Sequence, residues 1–359
     1  MKNLLISSAI LLVVISCSKE NFDKKEAQPF MSSTELKSAL IIMPNLDSIA
    51  RMNAGEFLES DLTKRGIDSI AKINSRVSSE SSSSSVIDGQ EYTDGSGKIH
   101  LKIFSKSTYP IKTNHPTKEV EVDADYVVVG GGAQAWGYQY DGGFLYESRP
   151  NDMLTSWIGS SKDHINPDPH YIDVYAIGMK IDSVTTDYLR SKIHLYFRTS
   201  YLANHPQIYA TVPGNCLRLG GGVKVNWTGY GNLLTSSIPM DNNKWFVKSK
   251  DHRRPDPCTI TAYAIGIENI SYPNVGYIQV GTTWQAEPSY HGEGWVYTLT
   301  EPGWAQTCVG AQATWYVSGR MIVNMYPQLN YLSQALSLDH TWPDYGWTWA
   351  YMVMIRAAE

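Results

Sequence analysis

The stretch Ser249-Lys250-Asp251-His252, followed by Pro255 and by Tyr263-Ala264-Ile265-Gly266, determines the architecture of this chain because near-copies of it lie on both sides. The earlier copy holds Ser161-Lys162-Asp163-His164, Pro167 and Tyr175-Ala176-Ile177-Gly178, and the later copy holds Ser337-Leu338-Asp339-His340, Pro343 and Tyr351-Met352-Val353. Corresponding positions such as His164 and His252 are 88 residues apart. Solenoid repeats have units of roughly 20–50 residues. A longer period gives each copy enough chain to be a small domain.

Glycine runs precede the repeated stretch in each copy. They read Gly130-Gly131-Gly132 and Gly220-Gly221-Gly222, with a degenerate Val309-Gly310-Ala311 in the third copy. Their spacing fits neither the dinucleotide-binding nor the P-loop pattern, and no helix is expected after them. Glycine inside a strand marks a bulge, a sharp bend or a close backbone approach. We therefore expect a bend or bulge between strands at each run.

The pattern of the chain from Lys98 onward is that of β-strands. Runs such as Ile99-His100-Leu101-Lys102-Ile103 alternate between apolar and polar residues, and turn signals recur at roughly the 8–12-residue spacing of all-β folds. No βαβ alternation is present, which argues against a parallel α/β sheet. The sequence predicts an all-β fold of three tandem antiparallel β-sandwich-like repeats of about 88 residues, at residues 91–185, 186–272 and 273–359.

The Tyr-Ala strand is apolar on both of its faces. In the second copy Ile260, Ala262, Ala264 and Gly266 share one face, while Tyr263, Ile265 and Ile267 share the other. A strand that is buried on one side only should alternate with polar residues. We expect one face to fill the repeat's own sandwich and the small-residue face to pack against a neighbouring element, such as another repeat in a pseudo-threefold cluster.

The first 17 residues predict an exported lipoprotein. A charged start, a short apolar run and small residues describe a secretory signal that is too short to span a membrane. Val14-Ile15-Ser16-Cys17 resembles the lipobox of bacterial lipoproteins, and Lys19-Glu20 resembles the export tags of Bacteroidota surface lipoproteins. These resemblances imply lipidation of Cys17 and surface exposure on the outer membrane. Residues 18–90, with two short amphipathic segments and a Ser-rich run, predict a tether.

Composition restricts the classes of partner that the chain could bind and indicates whether it could form disulfides. The net charge is −5 and 18% of residues are charged, which argues against a nucleic-acid partner. With 23 Tyr and 11 Trp, the chain is rich in residues that suit strands and that can also be platforms for sugars. Export permits disulfides, and Cys216 with Cys258 is the preferred pair because both lie in the second repeat.

Each copy places an Asp-His pair directly before a Pro-containing turn. A carboxylate accepts sugar hydroxyls or ligates calcium, and an imidazole donates or stacks, so these pairs are candidate ligand contacts. The structural alternative is that Asp caps the turn through backbone amides and that His holds two strands together. The candidates are Asp163, His164, Asp251, His252, Asp339 and His340.

Trp136, Trp227 and Trp315 lie shortly after the glycine runs. They are candidate stacking platforms for sugar rings, with core or interface packing as the alternative. No catalytic constellation is evident: a strand places Ser161 and Asp163 on one face and His164 on the other. We predict no catalytic residues, no metal site and no cofactor, with calcium as the one ion left open. The three His residues could share a metal if the repeats met on an axis.

The segment from Trp245-Phe246-Val247 to Tyr263-Ala264-Ile265-Gly266 resembles the closing half of H-type lectin domains. That resemblance implies six-stranded antiparallel sandwiches that assemble as trimers and bind N-acetylgalactosamine-type sugars. The glycine run and the Ser-Lys-Asp-His wording depart from the family. The sequence thus predicts a surface glycan-binding or adhesive lipoprotein with multivalent sites. The alternatives are a structural or protein-binding surface component and a hydrolase acting on polysaccharide or peptide.

Overall fold

The computed structural model describes residues 87–139, 142–290, 292–317, 319–340 and 342–358. These residues belong to one compact unit that runs from residue 73 to residue 359. The predicted signal, the predicted lipidation site at Cys17 and the tether up to residue 86 lie outside the described residues.

The described chain is built from antiparallel strands, which confirms the predicted fold class. A short strand β1 (Glu91–Thr93) precedes the repeats, and a helix α1 (Thr186–Lys192) connects the first repeat to the second. The first repeat contains β2 (Ile99–Ser107), β3 (Thr117–Glu121), β4 (Val127–Trp136), β5 (Phe144–Pro150), β6 (Ser156–Lys162) and β7 (Tyr171–Ile181). The second contains β8 (Ile193–Thr199), β9 (Gln207–Thr211), β10 (Cys216–Asn226), β11 (Leu233–Met240), β12 (Lys244–Lys250) and β13 (Thr259–Glu268). The third contains β14 (Ile278–Ser289), β15 (Glu293–Leu299), β16 (Ala305–Ala313), β17 (Arg320–Leu329), β18 (Leu332–Asp339) and β19 (Gly346–Ala357).

Each repeat divides its six strands between two sheets. The three sheets have the strand orders β1-β2-β7-β4-β17-β18-β15, β3-β6-β5-β10-β13-β8 and β14-β19-β16-β11-β12-β9. The first, third and sixth strands of one repeat therefore continue into the second, fourth and fifth strands of a neighbour. The repeats are sandwiches that share sheets, and together they close into a pseudo-threefold ring.

Short strand pairings join the repeats, and glycine makes them possible. The third strand of each repeat pairs with the fourth strand of the repeat that precedes it around the ring. These pairs are β4 with β17, β10 with β5, and β16 with β11. A Cβ on Gly222 would lie 2.6 Å from the carbonyl oxygen of Ser148, and one on Gly310 would lie 2.7 Å from that of Ser237. The predicted irregularities are present, because the ladder of each third strand shifts register beside its glycine run.

The glycine at the centre of each run makes room for a tryptophan of the same repeat. A Cβ on Gly131 would lie 2.5 Å from Cδ2 of Trp157, and a Cβ on Gly221 would overlap the indole of Trp245. In the third copy the strand register aligns the run with Cys308, Val309 and Gly310, one residue earlier than the sequence comparison placed it. The two positions therefore hold Val309 and Ser333. The larger residue is now on the third strand and the smaller one on the fifth, so the space between the two sheets of the repeat remains filled.

At the centre of the ring, Cys308 occupies space that the other two repeats leave open. Its Cβ would lie 2.6 Å from a Cβ on Gly130 and 2.7 Å from one on Gly220. Cys308 is fully buried, and burial raises the pKa of its thiol. The centre therefore holds a single side chain where strict symmetry would place three.

The two faces of the Tyr-Ala strand are used in the reverse of the expected way. Ala264 pairs with Gly221, whose open side faces Trp245, so the small-residue face looks into the repeat's own sandwich. The Tyr263 face meets the neighbouring repeat, where the Arg149 guanidinium lies 5.4 Å from the Tyr263 ring centroid. Small residues are needed on the inner face because the indole of Trp245 already fills that space.

The predicted disulfide between Cys216 and Cys258 does not form, and both are free, buried thiols like Cys308. Cys216 pairs with Glu268 at one end of the β10–β13 ladder, whereas Cys258 directly precedes Thr259 at the other end. At about 3.3 Å per residue, the two thiols are about 30 Å apart, far beyond the reach of a disulfide.

The first and third repeats are also joined by contacts at the edge of the ring. The amide of Ala357 donates to Oδ2 of Asp94 at 2.9 Å, and the amide of Gly95 donates to the carbonyl of Gly303 at 2.9 Å. Helix α1 begins after Thr185, whose Oγ1 accepts from the amide of Tyr188 at 3.3 Å. Within the described ranges, no helix is long and apolar enough to cross a membrane.

Candidate functional site

The three predicted His residues meet where the repeats converge. The ring centroids of His164, His252 and His340 are 5.0 to 5.6 Å apart, and all three side chains are buried. Nε2 of His164 lies 2.8 Å from the carbonyl oxygen of His252, and Nδ1 lies 3.3 Å from that of Tyr230. The imidazole of His164 therefore binds the first repeat to the second through backbone carbonyls. None of the three imidazoles has a surface that a ligand could reach.

The paired Asp residues hold loops in place. Asp163 accepts from the amide of Asp168 at 3.1 Å and lies 2.9 Å from Nε2 of His115. Oδ1 of Asp251 lies 2.8 Å from Nε2 of His205. Asp339 accepts from the amides of Gly292 at 3.0 Å and Asp344 at 3.1 Å. These contacts are those of turn caps, and they favour the structural interpretation that the sequence left open.

A second row of carboxylates, which the sequence analysis did not identify, clamps the loops after the third strands. Asp168 accepts from the amide of Gln139 at 2.9 and 3.0 Å, Asp256 accepts from the amide of Gly231, and Asp344 accepts from the amides of Val317 and Gly319. All three are buried. Their recurrence with the period of the repeats, next to a proline in each turn, was the signal that could have identified them.

The convergence of His and Asp does not create a metal centre. Among the residues that the structure describes, no group of three or more His, Cys, Asp or Glu side chains could hold a metal ion. The Asp carboxylates are directed at backbone amides and at imidazoles.

A buried Ser–His contact is present in the first repeat. Oγ of Ser161 lies 2.9 Å from Nε2 of His170, and Nδ1 of His170 lies 2.8 Å from the carbonyl oxygen of Asp168. Both side chains are fully buried, and burial lowers the pKa of His170. A nucleophile must reach its substrate, and the orienting group of a triad is a carboxylate rather than a carbonyl. This pair packs the sandwich and does not form a hydrolytic site.

Two of the three predicted Trp platforms occupy equivalent interfaces between repeats. Trp227 of the second repeat lies under Nζ of Lys162, 4.1 Å from its ring centroid, and Trp315 of the third repeat lies under Nζ of Lys250 at 4.8 Å. Burial lowers the pKa of Lys162 to about 8 and also lowers the pKa of Lys250. These cation–π contacts make both indoles part of the packing between repeats.

Trp136 is not the third member of this set. It pairs with Tyr171, and the residue at the corresponding place in the second repeat is Asn226, which pairs with Thr259. The interface position in the first repeat is taken by Tyr138, which packs against the same apolar cluster as Leu338 of the third repeat. Trp136 instead stacks near Tyr171, with ring centroids 4.5 Å apart.

The surface that offers aromatic rings to solvent lies on the outer face of the third repeat. Trp347, Trp349 and Tyr351 alternate along β19, so they share one face of the sheet. Trp284 of β14 pairs directly with Tyr351, and its ring centroid lies 5.0 Å from that of Trp349. Trp347 is 40% exposed and Trp284 is 39% exposed. We call these four residues the aromatic strip.

Polar groups border the aromatic strip. Gln312 of β16 pairs with Trp349, and its Oε1 lies 3.5 Å from the hydroxyl of Tyr351. The corresponding positions of β7 are Tyr171, Asp173 and Tyr175, and those of β13 are Thr259, Thr261 and Tyr263. Only the third repeat therefore has a run of three aromatic side chains on this face.

No protein-family model matches this chain, and a search of curated proteins also finds no match. The functional interpretation consequently depends on which side chains can be reached from solvent. The three His side chains are buried, the interface tryptophans are partly covered by lysines, and Trp347 and Trp284 of the aromatic strip are exposed.

Proposed function

We propose that this chain is a lipid-anchored surface protein of a bacterial outer membrane that binds glycans, and that the aromatic strip is its principal contact surface. The observation that carries the proposal is the alignment of Trp347, Trp349, Tyr351 and Trp284 on one face of a sheet, where Trp347 and Trp284 are exposed. The lipobox-like Cys17 supports the anchoring, and the rigid ring of repeats supports a binding module rather than a flexible chain.

The chemistry of the aromatic strip suits a sugar chain. The C–H faces of pyranose rings are apolar and pack on aromatic faces, while sugar hydroxyls need polar neighbours such as the amide of Gln312. Side chains at alternate positions of a strand are about 6.6 Å apart, so the strip spans about 13 Å, enough for two or three sugar units. Because these side chains stand on paired strands, they lose little conformational entropy when a ligand binds.

The three repeats do not present three copies of one site. The first repeat has Asp173 where the strip has Trp349, and the second has Thr261 there, and both of these side chains are buried. In place of the three equivalent sites expected from the sequence, the proposal therefore has a single extended binding surface on the third repeat. The adhesive variant of the proposal requires several molecules on one cell surface, since linked sites raise avidity.

A structural or protein-binding role is the second candidate. It is favoured by the burial of the three His residues and of Asp163 and Asp339, which makes the repeated motifs determinants of the fold. In that case the aromatic strip would contact a protein partner, and no glycan would bind to it.

The test is a glycan-array screen of the full chain carrying Cys17→Ser, which removes the lipidation site, performed with and without calcium. We expect binding to neutral polysaccharide fragments that is independent of calcium. The double variant Trp347→Ala/Trp349→Ala should bind at least about tenfold more weakly, which corresponds to about 1.4 kcal/mol. Phe197→Ala removes an exposed aromatic from another sheet and is the matched control.

A second set of variants separates binding from folding. Asp163→Ala and Asp339→Ala should each lower the melting temperature, since each leaves a buried amide without a partner, at about 1–3 kcal/mol. Asp251→Ala should have a smaller effect, because its partner His205 is exposed. Affinity per folded molecule should not change. Equal binding by the wild type and the Trp347→Ala/Trp349→Ala variant, or a blank array from folded protein, would shift the assignment to the structural role.

A further inference from the structure

Three tight turns surround the point where the His rings meet. In each turn the amide two residues beyond the His donates to the His carbonyl: Asn166 to His164 at 2.9 Å, Arg254 to His252 at 2.7 Å, and Trp342 to His340 at 2.8 Å. We call them the axial turns. Because the three imidazoles are in mutual contact, the axial turns lie around the pseudo-threefold axis at one end of the ring.

The central residues of the first two axial turns are held in an unusual backbone conformation. Ile165 has φ of 70° and Arg253 has φ of 61°. An i to i+2 hydrogen bond around such a residue is the rare, strained form of the γ-turn, and positive φ is a genuine outlier for a β-branched side chain such as Ile. Strain of this kind persists only where the surrounding structure enforces it, and it is frequent at ligand-binding positions.

In the second repeat this strained turn presents two arginines to solvent beside exposed aromatic rings. The guanidinium of Arg253 lies 5.5 Å from the ring centroid of Trp342, which belongs to the third repeat, and that of Arg254 lies 4.7 Å from the ring of Tyr230. Trp342 is 62% exposed and Tyr230 is 46% exposed. A guanidinium stacked on a ring still presents its N–H edge for a planar, bidentate anion.

The carboxylates that flank the two arginines are engaged elsewhere. Asp251 lies against Nε2 of His205, and Asp256 accepts from the amide of Gly231. No ion pair joins Arg253 or Arg254 to any carboxylate of the described chain. Two neighbouring cations without acidic partners are notable in a chain whose net charge is −5.

We propose that the axial turns form a second glycan site, specific for an acidic sugar, in which Arg253 and Arg254 bind the anionic group and Trp342 and Tyr230 contact the ring. The proposal rests on the proposed glycan-binding function and names the ligand class of a separate site. Guanidinium–carboxylate and guanidinium–sulfate contacts are charge-assisted and geometrically matched. Uronate and sulfated sugars supply the same chemistry, and both are included in the test.

The charge distribution favours an oligosaccharide with few charges over a dense polyanion. The equivalent residues of the first axial turn are Ile165 and Asn166, which are neutral. The site therefore offers two positive charges on a protein that is negative as a whole, which suits one or two anionic groups and disfavours a continuous array of them.

Isothermal titration calorimetry on the Cys17→Ser chain tests the site with trigalacturonic acid, its methyl ester and a sulfated galactan tetrasaccharide. We expect saturable binding of at least one acidic probe, and at least tenfold weaker binding of it by Arg253→Gln/Arg254→Gln. The methyl ester should bind at least tenfold more weakly than trigalacturonic acid if uronate is the ligand. Arg198→Gln, an exposed arginine on another sheet, should bind as the wild type does.

Thermal melting confirms that the arginine variant is folded, and Trp342→Ala provides a second variant that leaves both charges in place and should also weaken binding. Trp347→Ala/Trp349→Ala should retain the acidic probe, which separates this site from the aromatic strip. The proposal is overturned if neither acidic probe binds, or if the double arginine variant binds as tightly as the wild type. Neither of those results would affect binding of neutral glycans to the aromatic strip.

Discussion

The exchange of large and small residues between repeats can be tested as a double-mutant cycle on Gly221 and Trp245. The third repeat carries Val309 and Ser333 at these positions, so Gly221→Val and Trp245→Ser together copy its solution into the second repeat. We expect each single change to be damaging and the pair to cost much less than the sum of the two, because the valine fills part of the space that the indole leaves.

The magnitudes follow from the contacts. Trp245 is fully buried and its Nε1 donates to Oγ of Ser237 at 3.0 Å, so Trp245→Ser should cost about 4 kcal/mol. Gly221→Val alone would drive a Cβ into Cδ2 of Trp245 and into the carbonyl oxygen of Tyr263. We assign about 2 kcal/mol to the clash with the indole and about 1 kcal/mol to the backbone shift. Independent effects would add to about 7 kcal/mol. Three new buried carbons at about 0.8 kcal/mol each recover roughly 2 kcal/mol of the cavity cost, and the backbone shift remains, so the double variant should lose about 3 kcal/mol.

Urea unfolding followed by far-UV circular dichroism measures all four proteins without depending on tryptophan fluorescence. The expected coupling is about 4 kcal/mol in favour of the double variant. Gly131→Val combined with Trp245→Ser pairs positions from two different repeats and is the matched control, for which no rescue is expected. A double variant whose loss equals the sum of the two single losses would refute the packing argument.

Two further predictions concern buried groups. Burial lowers the pKa of Lys162 from 10.5 to about 8, so the unfolded chain binds more protons between these values and the contribution of Lys162 to stability rises with pH across that window. Lys162→Leu, which copies Leu338, should remove that rise. Melting temperatures of both proteins at pH 7 and pH 10 check it, and parallel profiles would contradict it. Cys216, Cys258 and Cys308 are buried, and burial raises the pKa of Cys258 to about 12. In the Cys17→Ser chain a thiol reagent at pH 8 should therefore label these three residues only after denaturation, and rapid labelling of the native protein would disprove this.

The period of the repeated stretch was sufficient to predict the fold class, the number of repeats and the irregular third strands. The sharing of sheets was not predictable in the same way. Pairing of β4 with β17 is made by backbone groups across a few residues, and the apolar composition of both strands is equally compatible with a closed sandwich. Helix α1 was also missed, because its seven residues carry only a weak signal in the Thr185 cap and Asp187.

The candidate site was predictable only in part. The Asp-His pairs were correctly identified as the repeated feature, but burial, which decides between binding and capping, depends on where the repeats meet. Trp136 was wrongly grouped with Trp227 and Trp315. Those two residues are separated by the period of the repeats, whereas Trp136 does not lie at the corresponding position of the first repeat. The aromatic strip was overlooked because all four of its residues lie in the third repeat, whereas the sequence analysis looked for features that are present in all three repeats.

The contact of Asp94 with Ala357 joins the third repeat to the first, so the ring is closed and no repeat has a special position in it. Every strand pairing between repeats would survive if the chain were reopened elsewhere, so a circular permutant that begins at the second repeat and joins the third to the first through a short linker should reach the same fold. The position at which the chain begins is thus not what determines how the repeats are arranged in space. Each repeat has been able to acquire its own surface, because a change on one outer face leaves the other two pairings intact.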